Sequence, residues 1–138
     1  MTIGGEIFQA RLRVDLAPRS CERLLQLLPY RGELIHAQWS GQSCWSPLGS
    51  SWPAGERLLP ESALAYPAPG EVLLFGGELS EPELLIAYGP TRFASMAGPL
   101  AGNPVLKIET DIARLAELGR QILRRGALEL RIEHHAGQ

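Results

Sequence analysis

The stretch DIARLAELGRQILRRGALELRIE, residues 111–133, contains the clearest structural pattern in the chain. Its apolar residues recur at the spacing of one helical face: Ile112, Leu115, Leu118 and Ile122. Asp111 can cap the start of this helix, and Gly126 follows its last turn. From 127 to 133 the apolar residues alternate strictly with charged ones, which predicts a strand with one face in the core. The sequence therefore predicts a helix over 111–125 followed by a half-buried strand.

Upstream of this stretch, the same two periodicities predict a second helix and several short strands. Pro18 suits the first position of a helix over 18–28, whose apolar stripe ends before Pro29. Alternating or compact apolar runs predict six further strands: 6–14 with an irregularity near Ala10, 33–38, 43–48, 71–75, 83–87 and 105–109. The segment 49–70 is rich in Gly, Pro and Ser, and a loop of this length usually covers a site or an interface.

This order of elements indicates a mainly β fold with two helices. A mostly antiparallel sheet of many short strands can remove its exposed edges by closing on itself. We therefore expect a closed, mostly antiparallel β-barrel capped by the helices near 18–28 and 111–125. The length of 138 residues is typical of one domain, so we expect a single domain over 1–138.

Composition and charge exclude several classes of function. Thirteen basic and fifteen acidic residues give a formal net charge of −2, and no basic cluster exceeds the pair Arg124 and Arg125, so we expect no nucleic-acid partner. No apolar run approaches the length that spans a bilayer, and the chain begins without the pattern of a signal peptide. We expect a cytoplasmic protein with no membrane partner. Cys21 is interpreted as a core residue, while Cys44 stays open as a nucleophile.

A first candidate site lies in HAQWSGQSCW, residues 36–45. On a predicted hairpin, alternate side chains project from one face and can reach a single pocket. His36 is the candidate catalytic residue, as acid, base or hydrogen-bond donor. Trp39, Ser40 and Trp45 are candidate ligand-binding residues. The alternatives are a structural histidine and tryptophans that belong to the core.

A second candidate site lies between residues 88 and 104. It contributes five candidate ligand-binding residues: Tyr88, Arg92, Phe93, Ser95 and Asn103. Such a loop can turn backbone N–H groups and a guanidinium toward an anion, and the expected ligand is a carboxylate. Alternatively, Arg92 ties down loop carbonyls in a packed connection.

Other chemistry-bearing residues form no recognisable site. The carboxylates of Glu71, Glu81 and Glu83 lie near predicted strand ends and are interpreted as solvated charges. The neighbours His134 and His135 point to opposite faces of a strand, so we expect no metal. The glycine spacing fits neither a P-loop nor a dinucleotide fingerprint, and we expect no cofactor.

Several motifs resemble known families. DLAPRSCERL, residues 15–24, resembles the first helix of cyclophilins, and YRGELIH, residues 30–36, is similar to the segment that supplies the catalytic arginine of prolyl isomerases. Ala37 stands at that arginine's position. From about residue 7 to 133 the chain resembles a bacterial family of unknown function in the cyclophilin-like superfamily. The motifs that carry this likeness are residues 36–45 together with YPAPGE at 66–71, YGPTRFAS at 88–95 and AGN at 101–103. The resemblance implies a cyclophilin-like fold and no particular reaction.

These observations favour a domain that binds or acts on a small anionic molecule, carboxylate-bearing, at a pocket lined by His, Trp and Arg. Two alternatives stay open. One is a peptidyl-prolyl cis-trans isomerase, which the resemblance implies. The other is a non-catalytic subunit that modulates a partner enzyme and docks through an exposed Trp52-Pro53 loop. We also expect a homo-oligomer, in which this loop could be buried against a second copy.

Overall fold

The structure is a computed structural model that describes residues 1–135. It contains two helices, α1 (Pro18–Leu27) and α2 (Ile112–Arg125), which lie where the sequence predicts them. The strands are β1 (Thr2–Ile3), β2 (Glu6–Ile7), β3 (Ala10–Leu12), β4 (Tyr30–His36), β5 (Gly41–Pro47), β6 (Glu71–Phe75), β7 (Glu83–Thr91), β8 (Ala94–Ser95), β9 (Gly98–Pro99), β10 (Asn103–Ile108) and β11 (Leu128–Ile132). The prediction of a mainly β fold with two helices is confirmed.

Nine of these strands form one sheet in the order β2-β1-β11-β4-β5-β7-β6-β10-β3, and the paired strands are antiparallel. This order has two ends, so the prediction of a closed barrel is wrong, and the sheet is an open half-barrel. The two end strands, β2 and β3, are successive parts of the predicted strand 6–14. Between them, the Phe8 amide donates to the Met1 carbonyl on one side of the gap, and the Glu109 amide donates to the Gln9 carbonyl on the other. The strands at the two edges of the sheet, β2 and β3, are therefore neighbours in one stretch of chain and do not pair with each other.

The inner face of the sheet packs against the helices. Helix α2 lies across β4, β5 and β7 and buries Leu115, Leu118 and Ile122. Its cap is the predicted one, because the Asp111 carboxylate accepts a hydrogen bond from the Arg114 amide at 3.1 Å. Gly119 allows the helix to approach the sheet closely, since a Cβ at this position would lie 2.2 Å from the Tyr88 ring.

A second, smaller core covers the outer face of the sheet. Leu73 and Leu85 project from β6 and β7, and the chain after β7 returns over them with Phe93 and Leu100. This returning segment forms the short β8–β9 hairpin, which the sequence analysis missed. Side chains along β6 and β7 alternate between the two faces of the sheet, so each strand contributes to both cores. Val72 and Ile86 point into the inner core. The outer core holds the hairpin in the position that builds the candidate site.

The long segment 49–70 is fastened to α1 rather than left free. The Glu61 carboxylate accepts hydrogen bonds from the amides of Arg19 and Ser20, and from the Ser20 hydroxyl at 2.6 Å. Burial alone would raise the pKa of Glu61, but these hydrogen bonds together outweigh it and hold the pKa below its ordinary value. The Asn103 side chain completes the cluster by donating to the Leu59 carbonyl and accepting from the Glu61 amide.

Within this segment, Trp52 is only 7% exposed, so the expectation of an exposed Trp52-Pro53 docking loop is wrong. Its ring packs into the main core, and its indole N–H donates to the Glu56 carbonyl at 3.2 Å. Over residues 1–135, neither helix has the length and apolar composition needed to cross a bilayer.

Candidate functional site

A cleft of about 510 Å³ opens on the outer face of the sheet, next to the smaller core. Its floor is made by three adjacent strands, in which Ile35 of β4 lies opposite Trp45 of β5, and Trp45 lies opposite Leu85 of β7. Glu83 precedes Leu85 by two residues and therefore shares its face of the sheet. The floor is apolar apart from this one carboxyl group.

Three loops form the walls of the cleft. The turn between β4 and β5 contributes residues 37–40, the β8–β9 hairpin contributes residues 94–97, and the segment before β7 contributes residues 79–81. Ser40 joins the first two walls, because its hydroxyl accepts from the Ala94 amide and donates to the Ala94 carbonyl, both at 3.0 Å. The stretches around residues 36 and 92, which carry the two candidate sites of the sequence, therefore lie side by side.

Large apolar side chains surround the mouth of the cleft. Trp39 is 55% exposed, Leu79 is 66% exposed and Met96 is 80% exposed, one from each wall. Exposed apolar residues that are scattered singly need no explanation, but three that converge on one concave surface are typical of a binding site. The volume also lies within the range of about 300–1,000 Å³ that ligand pockets occupy.

Glu83 is the most unusual group in the cleft. It is 5% exposed, and neither oxygen of its carboxyl group hydrogen-bonds to another group within the described chain. Burial, with a smaller contribution from the negative charge of Glu81, raises the pKa of Glu83 from 4.5 to about 8. The carboxyl group is therefore mostly protonated at neutral pH. Its interpretation as a solvated charge is wrong.

His36 borders the cleft at the end of β4, but it lies opposite Cys44, so its ring turns to the inner side of the sheet, where both ring nitrogens are engaged. Nδ1 lies 2.8 Å from the Ala37 carbonyl oxygen, and because a carbonyl only accepts, Nδ1 carries the hydrogen. Nε2 of the neutral ring then accepts from the Tyr88 hydroxyl, 2.7 Å away. Burial raises the pKa of Tyr88, so the phenol keeps its proton. The His36 ring is therefore tied to Tyr88 on the inner side of the sheet and is not directed into the cleft.

Cys44, the candidate nucleophile, lies on the inner face of the sheet. It is 2% exposed, and burial raises the pKa of its thiol to about 12. A thiol that stays protonated and buried does not attack a substrate. Cys44 is therefore a core residue.

The structure brings five of the nine candidate residues together around the cleft: His36, Trp39, Ser40, Trp45 and Ser95. The other four do not line it. Tyr88 lies behind His36, Phe93 is in the outer core, and Asn103 holds the 49–70 segment against α1. The Arg92 side chain is exposed, and only its backbone amide reaches the wall, where it donates to the Ser40 carbonyl at 3.1 Å.

Sequence reasoning missed Glu83, Leu79 and Met96 as residues of the cleft. For Glu83 a signal was present, because the run that follows it is apolar at successive positions from Leu84 to Ala87. Such a run is typical of a strand buried on both faces, where an acidic residue is buried too. For Leu79 and Met96 no sequence signal distinguishes them from ordinary exposed loop residues.

Comparison with known families finds one that matches almost the whole chain. The profile of a family described as a protein of unknown function, DUF3830, matches residues 1–134. This chain belongs to that family. The family description assigns no reaction or ligand. A comparison with curated proteins finds no match to this chain.

Among solved structures, the chain is similar to one described as McbB in complex with tryptophan. The two share 24% sequence identity with a TM-score of 0.70, and the likeness covers 95% of this chain and 42% of McbB. The chain thus spans less than half the length of that protein. The likeness supports the cyclophilin-like fold expected from the sequence.

Proposed function

We propose that this protein binds a small, partly apolar molecule in the cleft between Trp39, Leu79 and Met96. The observation that carries the proposal is the Glu83 carboxyl group, which is buried at the floor of the cleft without a hydrogen-bond partner. The carboxyl oxygens keep only slight contact with solvent in the cleft, because the residue is 5% exposed. A ligand that enters the cleft and hydrogen-bonds to Glu83 supplies the partner that the described chain does not.

The apolar walls supply the remaining affinity. Trp39 and Met96 are largely exposed, and a ligand that covers them removes apolar surface from water. Trp45, half-buried on the floor, presents a flat aromatic surface on which a planar group can pack. A ligand with an apolar body and one polar end directed at Glu83 fits this arrangement.

The charges of the cleft argue against the carboxylate-bearing ligand expected from the sequence. That expectation depends on Arg92, whose guanidinium does not line the cleft. Across residues 1–135, the ionisable groups that do line it are Glu81, Glu83 and His36. An anion would meet no positive partner there, and the negative charge of Glu81 would repel it. A neutral or cationic ligand is favoured.

The two alternative functions have less support. A prolyl isomerase needs a hydrogen-bond donor aimed at the prolyl nitrogen. Residues 30–36 resemble the cyclophilin segment that supplies this donor as an arginine, but the arginine's position is Ala37 in this chain. The function as a partner-modulating subunit depends on exposure of Trp52, and the structure shows that Trp52 is buried.

The test is a thermal-shift screen of small molecules against the wild type and two variants. We include free tryptophan among the compounds because the McbB structure contains it. For a cleft ligand, Trp39→Ala should weaken binding about 10-fold, since loss of one aromatic contact is worth roughly 1–1.5 kcal/mol. The matched control is Tyr66→Ala, because Tyr66 is 71% exposed but does not line the cleft.

A ligand that raises the melting temperature of the wild type and of Tyr66→Ala, but much less that of Trp39→Ala, supports the proposal. A screen in which no compound stabilises the wild type contradicts it. So does a ligand that stabilises the Trp39 and Tyr66 variants equally, since such a ligand binds elsewhere.

A further inference from the structure

We infer that the ligand of this cleft is a cation, a small aromatic or aliphatic molecule with an ammonium or amidinium group that pairs with Glu83. This inference rests on the proposed function and names its ligand class. Two carboxyl groups, Glu81 and Glu83, line the cleft, and in the described part of the chain no lysine or arginine lines it. A cationic ligand would supply the positive charge that the protein does not.

Glu83 is buried on the floor, whereas Glu81 is exposed on the rim. An ammonium group placed above Glu83 can therefore donate directly to the buried carboxylate while the exposed carboxylate remains near water. Charge-assisted hydrogen bonds of this kind are roughly twice as strong as neutral ones. Trp39 and Trp45 add to this preference, because the face of an indole ring attracts a cation.

Binding of a cation would be coupled to proton release. Burial and the charge of Glu81 keep the pKa of Glu83 at about 8, so the carboxyl group is mostly neutral at pH 7. A bound cation stabilises the ionised form, and the proton of Glu83 leaves to solvent as the ligand binds. By the same linkage, affinity rises with pH until Glu83 is ionised in the free protein.

The other groups around Glu83 leave it as the main source of this pH dependence. Glu81, from the segment before β7, is exposed on the rim. From β4 comes His36, whose Nε2 is bound to Tyr88. The neighbours of Glu83 on adjacent strands do not titrate, since Pro47 of β5 and Phe75 of β6 lie opposite it. The β8–β9 hairpin contributes Ser95 and Met96.

The experiment uses three probes that differ in charge but share a phenyl ring: 2-phenylethylamine, 2-phenylethanol and 3-phenylpropionate. Each is titrated into the full chain and followed through the indole N–H signals of its tryptophans by NMR, at pH 6, 7, 8 and 9. Trp39 and Trp45 report on the cleft. Trp52 is an internal control, because its ring packs into the main core and its indole N–H donates to the Glu56 carbonyl, away from the cleft.

We expect the amine to shift the Trp39 and Trp45 signals and to leave Trp52 unchanged. Its affinity should rise about 10-fold from pH 6 to 7 and about 5-fold from pH 7 to 8, then level off. At pH 8 it should exceed that of the alcohol by about 10-fold or more. Calorimetry in two buffers at pH 7 should show release of about 0.9 proton per amine bound.

Glu83→Gln should abolish both effects, so that the amine and the alcohol bind alike at every pH. Glutamine resembles the protonated form of glutamate, so this variant keeps the shape of the cleft. Glu78→Gln is the matched control, because Glu78 is 71% exposed, pairs with Arg57 and does not line the cleft. It should retain the preference for the amine and the pH dependence.

The outcomes separate the two proposals. If the alcohol or the propionate shifts Trp39 and Trp45 with an affinity equal to that of the amine, the cation inference fails while the binding cleft stands. If amine binding does not depend on pH, or if Glu83→Gln keeps the preference for the amine over the alcohol, the pairing with Glu83 fails. If none of the three probes shifts either signal, both the cation inference and the proposed function are contradicted.

Discussion

Glu83→Gln should be more stable than the wild type at pH 7, by about 3 kcal/mol, and this gain should disappear near pH 4. The pKa of Glu83 is about 8 in the folded protein and has the ordinary value of 4.5 in the unfolded chain. Between these values the folded state holds a proton that the unfolded state has lost. The stability of the wild type therefore falls as pH rises from about 4.5 to 8, while glutamine imposes no such loss.

Thermal and urea unfolding of both proteins between pH 4 and pH 9 would measure this difference. For a chain of this size, 3 kcal/mol corresponds to roughly 10 °C in melting temperature. Glu78→Gln is again the control, since an exposed carboxylate should give a small difference that varies little with pH. A Glu83→Gln variant that is less stable than the wild type at pH 8, or equally altered at every pH, would show that Glu83 is not held in its neutral form.

Gly119→Ala should destabilise the protein by a net 1–3 kcal/mol or so, although alanine is the better helix former. Gly119 lies within α2, where propensity alone would predict a gain of about 1 kcal/mol. The added Cβ would lie 2.2 Å from the Tyr88 ring, which is 5% exposed and cannot swing into solvent. Helix α2 must then move away from β7, or Tyr88 must leave its contact with His36.

Chemical denaturation checks the sign of this effect. Ala113→Gly is a suitable reference, because Ala113 is an exposed position of the same helix and reports the cost of glycine alone. We expect both substitutions to be destabilising, although they are opposite in chemistry. A stabilising Gly119→Ala would mean that α2 does not pack against Tyr88 as closely as described.

Local elements were predictable because their signals are local. Helix α2 is set by its apolar face and by the Asp111 cap, and the predicted range 111–125 differs from the observed one only at the cap residue. The strand over Glu71–Phe75 is also where the sequence predicts it. These elements depend on hydrophobic periodicity and capping residues, which can be identified from the sequence alone.

The open sheet was not predictable in the same way. Whether the sheet closes depends on how its two edge strands meet. Phe8 and Gln9 hydrogen-bond to different neighbours at this point, and no distinctive sequence pattern marks the change. The β8–β9 hairpin was missed for a related reason, because its strands are two residues long and form only where the outer core supports them.

The candidate site was predictable in part. The residues from His36 to Trp45 come from one hairpin, so local geometry places them at one cleft. Arg92 and Asn103 were grouped with them by proximity in sequence, but Arg92 is exposed before β8, and Asn103, at the start of β10, binds the 49–70 segment. Glu83 was interpreted from its position at a strand end, although the apolar run from Leu84 to Ala87 indicates a strand buried on both faces.

The titration of the Glu83 carboxyl group tests this account most directly. Carbon-13 NMR of the protein labelled at glutamate side-chain carboxyls, compared with Glu83→Gln for assignment, gives its pKa without any ligand. The account predicts one glutamate signal that titrates near pH 8 and is absent from the variant. A Glu83 signal that titrates near pH 4.5 would contradict it, since a carboxylate already ionised in the neutral range is neither buried nor unpartnered at the floor of the cleft.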